Sequence, residues 1–197
     1  MKTKKIILTT SLIFFAILGC KEEELELLDP NVIVPETFFQ NSGELQSGVN
    51  AAYSFLQSQG MYGRIAFFLL DNLSQENLGT DALQGGLKAF MDYTYDPTLG
   101  EFFQYWQSAY RGINSCNFVL EAAESGFIQN VSEEEINQRL GEVRFLRAFY
   151  YFNLTNFWGD VPMPTSTAAS ENGGVAKSSQ AEVYELILED LTFAIAN

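Results

Sequence analysis

The stretch Gly141-Glu142-Val143-Arg144-Phe145-Leu146-Arg147-Ala148-Phe149-Tyr150-Tyr151-Phe152-Asn153-Leu154, closed by Trp158-Gly159-Asp160-Val161-Pro162, decides how the rest of the chain is read. Its apolar residues continue a stripe of Ile136, Leu140, Val143, Tyr150, Leu154 and Phe157, stepped as one helix face requires. Phe145, Phe149 and Phe152 form a second stripe, so the C-terminal half of this helix is apolar nearly all round and is expected to be buried on several sides. Arg144 and Arg147 stand within that surface. A guanidinium so placed needs a carboxylate or carbonyls from a neighbouring helix, and its planar fork suits such pairs. A structural role is expected for both. Ser132, with Glu135 three positions on, is placed to cap the helix, and Gly159, Pro162 and Pro164 stop it.

Upstream, Gly100 to Gly126 reads as a second long helix, and Phe103, Trp106, Tyr110, Ile113, Asn117 and Leu120 make a narrow packing seam along it. Phe102 and Tyr105 are assigned to the same packing. Asn117 on that seam is expected to bond a neighbouring backbone, and Cys116 to be a small packing residue. Downstream, Ser179 and Glu182 open a last helix whose face is Val183, Ile187, Leu191 and Ala194, with Tyr184, Leu188 and Ile195 beside it. Near the start, Asn41 and Glu44 form a capping-box pattern ahead of Leu45, Val49, Ala52, Tyr53 and Leu56, with Gly60 ending that helix. Met61 to Asn77 is apolar and long enough for another helix. Leu27 to Phe39, with two prolines, reads as extended, and Leu78 to Leu99 and residues 165–177 as loop. No strand with clean period-two alternation stands out. Four or five helices in antiparallel pairs are expected, compatible with a helical solenoid, although no internal repeat is found.

The first 24 residues carry a different message. Lys2, Lys4 and Lys5, an apolar run from Ile6 to Leu18, then Gly19 and Cys20 make a secretory leader. That run of 13 residues, at ~1.5 Å each, falls short of the ~30 Å hydrocarbon core. A cysteine directly after the small residue makes this a bacterial lipoprotein signal, cleaved before Cys20 and lipidated on its sulfur. The expected organisation is a signal peptide over 1–19, a lipidated tether and lead-in over 20–40, and a helical body over 41–197. The chain carries 11 basic and 25 acidic residues. Loss of the three leader lysines leaves eight basic ones and a mature charge near −17, which argues against nucleic acid and anionic headgroups as partners. Attachment must then come from acyl chains. There is no histidine, so His-based triads and His-containing metal sites are excluded within the chain. With Cys20 lipidated, Cys116 has no partner for an intramolecular disulfide. Gly85-Gly86 and Gly173-Gly174 lack the spacing and lysine of a phosphate loop. No cofactor is expected.

The Gly141–Pro162 block resembles the signature of the SusD/RagB family of outer-membrane nutrient-binding lipoproteins, with Val143 in place of a common alanine. Leu28-Asp29-Pro30, Val49-Asn50-Ala51-Ala52-Tyr53, Trp106 through Asn117 to Leu120, and Val183-Tyr184 with Asp190-Leu191 resemble further family elements in the same order. Ser74-Gln75-Glu76-Asn77 departs from the Ser-Asp-Glu or Ser-Asp-Asn of many members. The resemblance implies an all-α fold of tetratricopeptide-like antiparallel helix pairs with long irregular loops, of which this chain is the N-terminal portion. It implies a non-catalytic cell-surface protein, lipid-anchored in the outer membrane, that captures oligosaccharides and passes them to a SusC-like TonB-dependent transporter. Oligopeptide capture is the alternative within the family, and a surface hydrolase using two carboxylates is the rival outside it.

Sugar binding needs flat aromatic faces and planar amide or carboxylate groups. Asn77, Asp81, Tyr93 and Tyr95 have those chemistries on irregular chain, where binding residues concentrate. They are the candidate ligand contacts; the alternative is that the tyrosines tuck against the bundle.

Overall fold

The structure is a computed structural model that describes residues 33–74, 86–171 and 174–197. Cys20, the leader, Leu28-Asp29-Pro30, Asn77 and Asp81 lie outside the described residues.

The order is α1 (Pro35–Phe38), α2 (Ser42–Ser54), a 3-10 turn (Phe55–Gln57), α3 (Ile65–Leu73), α4 (Gly86–Asp92), α5 (Gly100–Glu124), α6 (Glu133–Trp158), β1 (Val161–Pro162), α7 (Thr167–Glu171), β2 (Lys177–Ser178) and α8 (Gln180–Ala196). α6 lies at the centre, with α8 on one side and α5 on the other. Tyr105 meets Asn153 and Asn117 meets Arg147, so α5 and α6 run antiparallel. Asn156 meets Tyr184 and Arg147 meets Asp190, so α6 and α8 do too. This is the all-α helix-pair architecture that the sequence led us to expect.

Local chemistry sets the ends of these helices. Asn41 accepts the Glu44 N–H at 3.1 Å, while the Glu44 carboxylate reaches past the cap to the Gln40 N–H at 2.7 Å. Ser132 accepts the Glu135 N–H at 3.3 Å, and the Glu135 carboxylate instead takes the Ser42 hydroxyl, joining the starts of α2 and α6. Among the described residues, both halves of a capping box are present only at Ser179 and Glu182.

Several expectations are corrected. Pro35–Phe38 forms a helical turn rather than extended chain, because proline suits a first helical position where its missing N–H costs nothing. The second apolar segment is helical only over Ile65–Leu73, with Met61 to Arg64 in turns. Within the stretch expected as loop, Gly86–Asp92 is helix, held by the buried Leu87 and Phe90. Thr167–Glu171 is helix as well, its start fixed by Glu121, which accepts from both the N–H and the hydroxyl of Thr167. A two-residue antiparallel pair, Val161 with Ser178 and Pro162 with Lys177, supplies the strand structure. Phe145 and Phe152 are half-exposed rather than buried, and Leu188 and Ile195 face outward on α8.

The core is rich in tyrosine, and each buried phenol has an acceptor. Tyr105 donates to Asn153 Oδ1 at 3.0 Å, Tyr150 to the Ala52 carbonyl at 2.7 Å and Tyr151 to the Pro164 carbonyl at 2.8 Å. A buried hydroxyl without such a partner would cost roughly 1–3 kcal/mol. Cys116 is fully buried beside them. Burial pushes its thiol well above the ordinary range, which suits a packing residue and not a nucleophile.

Candidate functional site

The turn after α6 is fastened from several directions. Gly159 adopts φ +70°, a left-handed conformation suited to glycine, and its N–H bonds the Thr155 carbonyl at 2.9 Å. The Thr155 hydroxyl donates back to the Gly159 carbonyl at 2.9 Å. Asp160 Oδ1 accepts the N–H of Gln180, the first residue of α8, at 2.9 Å, and Val161 is fully buried. The Pro162 carbonyl takes the Tyr110 hydroxyl at 2.6 Å, and the Pro164 carbonyl takes the Asn117 amide at 2.9 Å as well as Tyr151. Gly-Asp-Val-Pro is therefore a clamp that holds the chain against α5.

Arg147 completes the clamp from behind. It donates to both Asp190 oxygens, at 2.7 and 2.8 Å, and to Asn117 Oδ1 at 3.0 Å. Burial pulls its guanidinium pKa down, but the Asp190 bonds and charge override that and hold it above its ordinary value. Arg144 reaches Asp190 and Glu189 at 3.5 Å and stacks 4.4 Å over Phe193. Both arginines are structural, and Asn117 fixes the register of α5 against the turn, as their placement suggested.

Between α5 and this turn lies a groove of about 790 Å³, within the range of small-molecule sites. α5 contributes Phe103, Trp106, Gln107, Tyr110, Arg111 and Asn114; the turn adds Pro162 and Pro164, and Phe55 and Val175 stand at its sides. The Trp106 and Tyr110 rings lie 4.8 Å apart, and Trp158 braces Trp106 edge-on at 5.2 Å. Phe103 is 63% exposed. Burial raises the Tyr110 phenol above its ordinary range, so it stays a neutral hydroxyl whose proton is committed to Pro162. The lining thus offers rigid aromatic faces interleaved with two amides and a guanidinium. It contains no carboxylate among the described residues, and so offers binding groups without an acid–base pair.

The structure does not bring the two described candidate tyrosines into this groove. Tyr93, 48% exposed at φ +54°, donates its hydroxyl to the Leu73 carbonyl at 2.7 Å. Tyr95 packs edge-on to Phe102 at 5.7 Å and against Phe90 at 5.9 Å, so it leans on the bundle. The groove residues were instead read as a packing seam. Phe103, Trp106 and Tyr110 do share the three- and four-residue spacing of Ile113, Asn117 and Leu120, yet only the latter three are buried. A readable signal was there: α5 has no Asp or Glu from residue 102 to 120, in a chain with 25 of them.

A family model for SusD-like proteins, described as starch-binding and associating with the outer membrane, matches residues 35–196. Among curated proteins, SusD-like protein P2 of Formosa agariphila is 28% identical over 194 residues, covering 97% of this chain and 37% of its own length. The chain thus spans little more than a third of that relative. Among solved structures, a SusD homolog from Bacteroides thetaiotaomicron superposes with a TM-score of 0.70 at 26% identity, over 82% of this chain and 31% of that one. A laminarin-binding SusD-like protein superposes with a TM-score of 0.67 at 28% identity, over 80% and 34%.

Proposed function

The chain belongs to the SusD-like family, and from that membership we propose that it forms the N-terminal part of a non-catalytic surface protein that binds glycan in the α5 groove. The observation that carries the reading is the conjunction of Phe103, Trp106 and Tyr110 with unspent Gln107 and Asn114 on one open face. Aromatic rings stack on the apolar faces of pyranose rings, while planar amides take pairs of hydroxyls. The laminarin-binding relative supports glycan as the ligand class. Tyr93 and Tyr95, with Asn77 and Asp81, are proposed as a secondary contact region on the connection around α4.

The remaining parts of the proposal concern place and partner. Lipidation at Cys20 would hold the protein on the outer membrane, and its cargo would pass to a SusC-like TonB-dependent transporter. Among the described residues no helix is long and apolar enough to cross a membrane, so anchoring through Cys20 makes a clear prediction. Cys20→Ser should move the protein from the membrane fraction to the soluble one after cell lysis. Retention of the variant in washed membranes would remove the lipid anchor from this account.

Glycan binding is tested by affinity electrophoresis and calorimetry of the full-length protein against laminarin, starch and other polysaccharides, beside Trp106→Ala. The variant is expected to bind at least tenfold more weakly, on the order of 1.4 kcal/mol. Because the indole also packs against Trp158 and the core, a thermal melt of the variant is recorded in parallel to show that it remains folded. Chromatography of the incubated oligosaccharides should show no shortened products. Undiminished binding by Trp106→Ala would place the ligand elsewhere.

A further inference from the structure

We infer that the groove takes an anionic sugar chain, one bearing uronate carboxylates or sulfate esters, with Arg111 as the group that reads the charge. This rests on the reading of the groove as a glycan site and names the ligand class that site would prefer.

The first observation is an inversion of local charge. The chain has 25 acidic and 11 basic residues, yet the described groove lining holds one cation and no carboxylate. The second is the state of that cation. Arg139 is paired with Glu142 at 2.6 Å, Arg147 with Asp190 at 2.7 Å, and Arg144 lies 3.5 Å from both Glu189 and Asp190. Arg111 is exposed and has no hydrogen-bond or carboxylate partner among the described residues. Its neighbours one helical turn away, Gln107 and Asn114, are neutral amides that also line the groove. An incoming anion would therefore displace no internal carboxylate, and the guanidinium fork matches a carboxylate or sulfate better than it matches a lone hydroxyl.

The third point is selectivity. This segment, with 25 acidic against 11 basic residues, repels polyanions in general, which argues against indiscriminate electrostatic adhesion to this part of the protein. At physiological salt that repulsion is screened beyond about 8 Å, whereas a contact at hydrogen-bond distance inside the groove is not. A polyanion that does bind must find the aromatic faces and Arg111 together. The inference thus goes beyond stacking: it asks for a charge on the sugar at the height of Arg111, between the amides.

The test is affinity electrophoresis of the full-length protein in gels carrying polygalacturonate, alginate, chondroitin sulfate or κ-carrageenan, beside the neutral polymers laminarin, starch and dextran. At least one anionic polymer should retard the protein. Polygalacturonate and alginate carry carboxylates alone and κ-carrageenan sulfate alone, so these separate the two groups, while chondroitin sulfate carries both. Arg111→Gln should weaken that retardation at least tenfold while leaving the thermal melt unchanged. Retardation by neutral polymers alone, lost in Trp106→Ala but kept in Arg111→Gln, would overturn the anionic inference and leave the glycan reading standing. Anionic retardation that Arg111→Gln does not alter, or a melt several degrees lower for that variant, also overturns it. Retardation by no polymer overturns both readings.

Discussion

Arg147→Ala is expected to lower the unfolding free energy by roughly 3–5 kcal/mol, because it leaves a buried carboxylate without its counter-ion. Asp190 is 0% exposed, and with Arg147 gone its nearest cation is Arg144 at 3.5 Å. The damage extends past the ion pair. Arg147 also donates to Asn117, and Asn117 donates to the Pro164 carbonyl, so one chain of bonds ties α8, α6 and α5 to the turn beside the groove. A domain with only 5–15 kcal/mol to lose would then be largely denatured at modest urea. The companion variant Arg147→Met with Asp190→Leu removes both charges and fills the space with apolar groups. It should recover most of the loss, since desolvating two ions offsets much of what their attraction supplies. Urea denaturation of the three proteins separates the cases. A loss below about 1 kcal/mol for Arg147→Ala would mean that solvent reaches Asp190 and the network does not hold the helices together.

That network was the most legible part of the chain. Two arginines on an otherwise apolar helix face need a carboxylate or carbonyls from a neighbouring helix, so a structural role for Arg144 and Arg147 was readable, although not that Asp190 would be the shared partner. Both ends of α6 and the start of α8 were legible for an equally local reason, because Ser132, Gly159 and Ser179 act on N–H and C=O groups within one turn. Where the reading failed, the deciding information was not local. Gly86 reads as a breaker, yet α4 begins there because Leu87 and Phe90 have a core to enter. Spacing places Phe103, Trp106 and Tyr110 in line with Ile113 and Leu120, but not which turns of a long helix a neighbour covers. The same limit applies to Phe145 and Phe152, which are half-exposed although the Phe152 ring meets Tyr184 of α8 edge-on at 6.4 Å. The groove is the product of that limit: a seam continued past the point where its partner turns away.

Gly112→Ala should be the most damaging single-methyl addition to the α5–α6 contact. A Cβ there would lie 2.3 Å from Cζ of Tyr150 and 2.5 Å from its nearest Cε, so the ring has to move. Tyr150 is fully buried and its hydroxyl is committed to the Ala52 carbonyl at 2.7 Å, so the ring cannot withdraw without giving up that bond. Overpacking of this kind costs roughly 1–3 kcal/mol, and the orphaned carbonyl on α2 adds roughly 1–3 kcal/mol. Against this, alanine is a better helix former than glycine by about 1 kcal/mol. The net expectation is a loss of about 3 kcal/mol, with the balance of the two unfavourable effects set by how far the ring can slide. Because the clash is with one ring, the penalty must shrink when that ring is removed. In a Tyr150→Leu background, itself destabilised by lost volume, adding Gly112→Ala should be close to neutral. A double-mutant cycle by denaturant melts measures this coupling directly. Equal penalties in both backgrounds would mean that the added methyl strains the α5 backbone rather than the ring. The close approach of α5 to α6 would then have a cause other than Tyr150, and the groove wall formed by Trp106 and Tyr110 would tolerate a looser helix pair than this geometry implies.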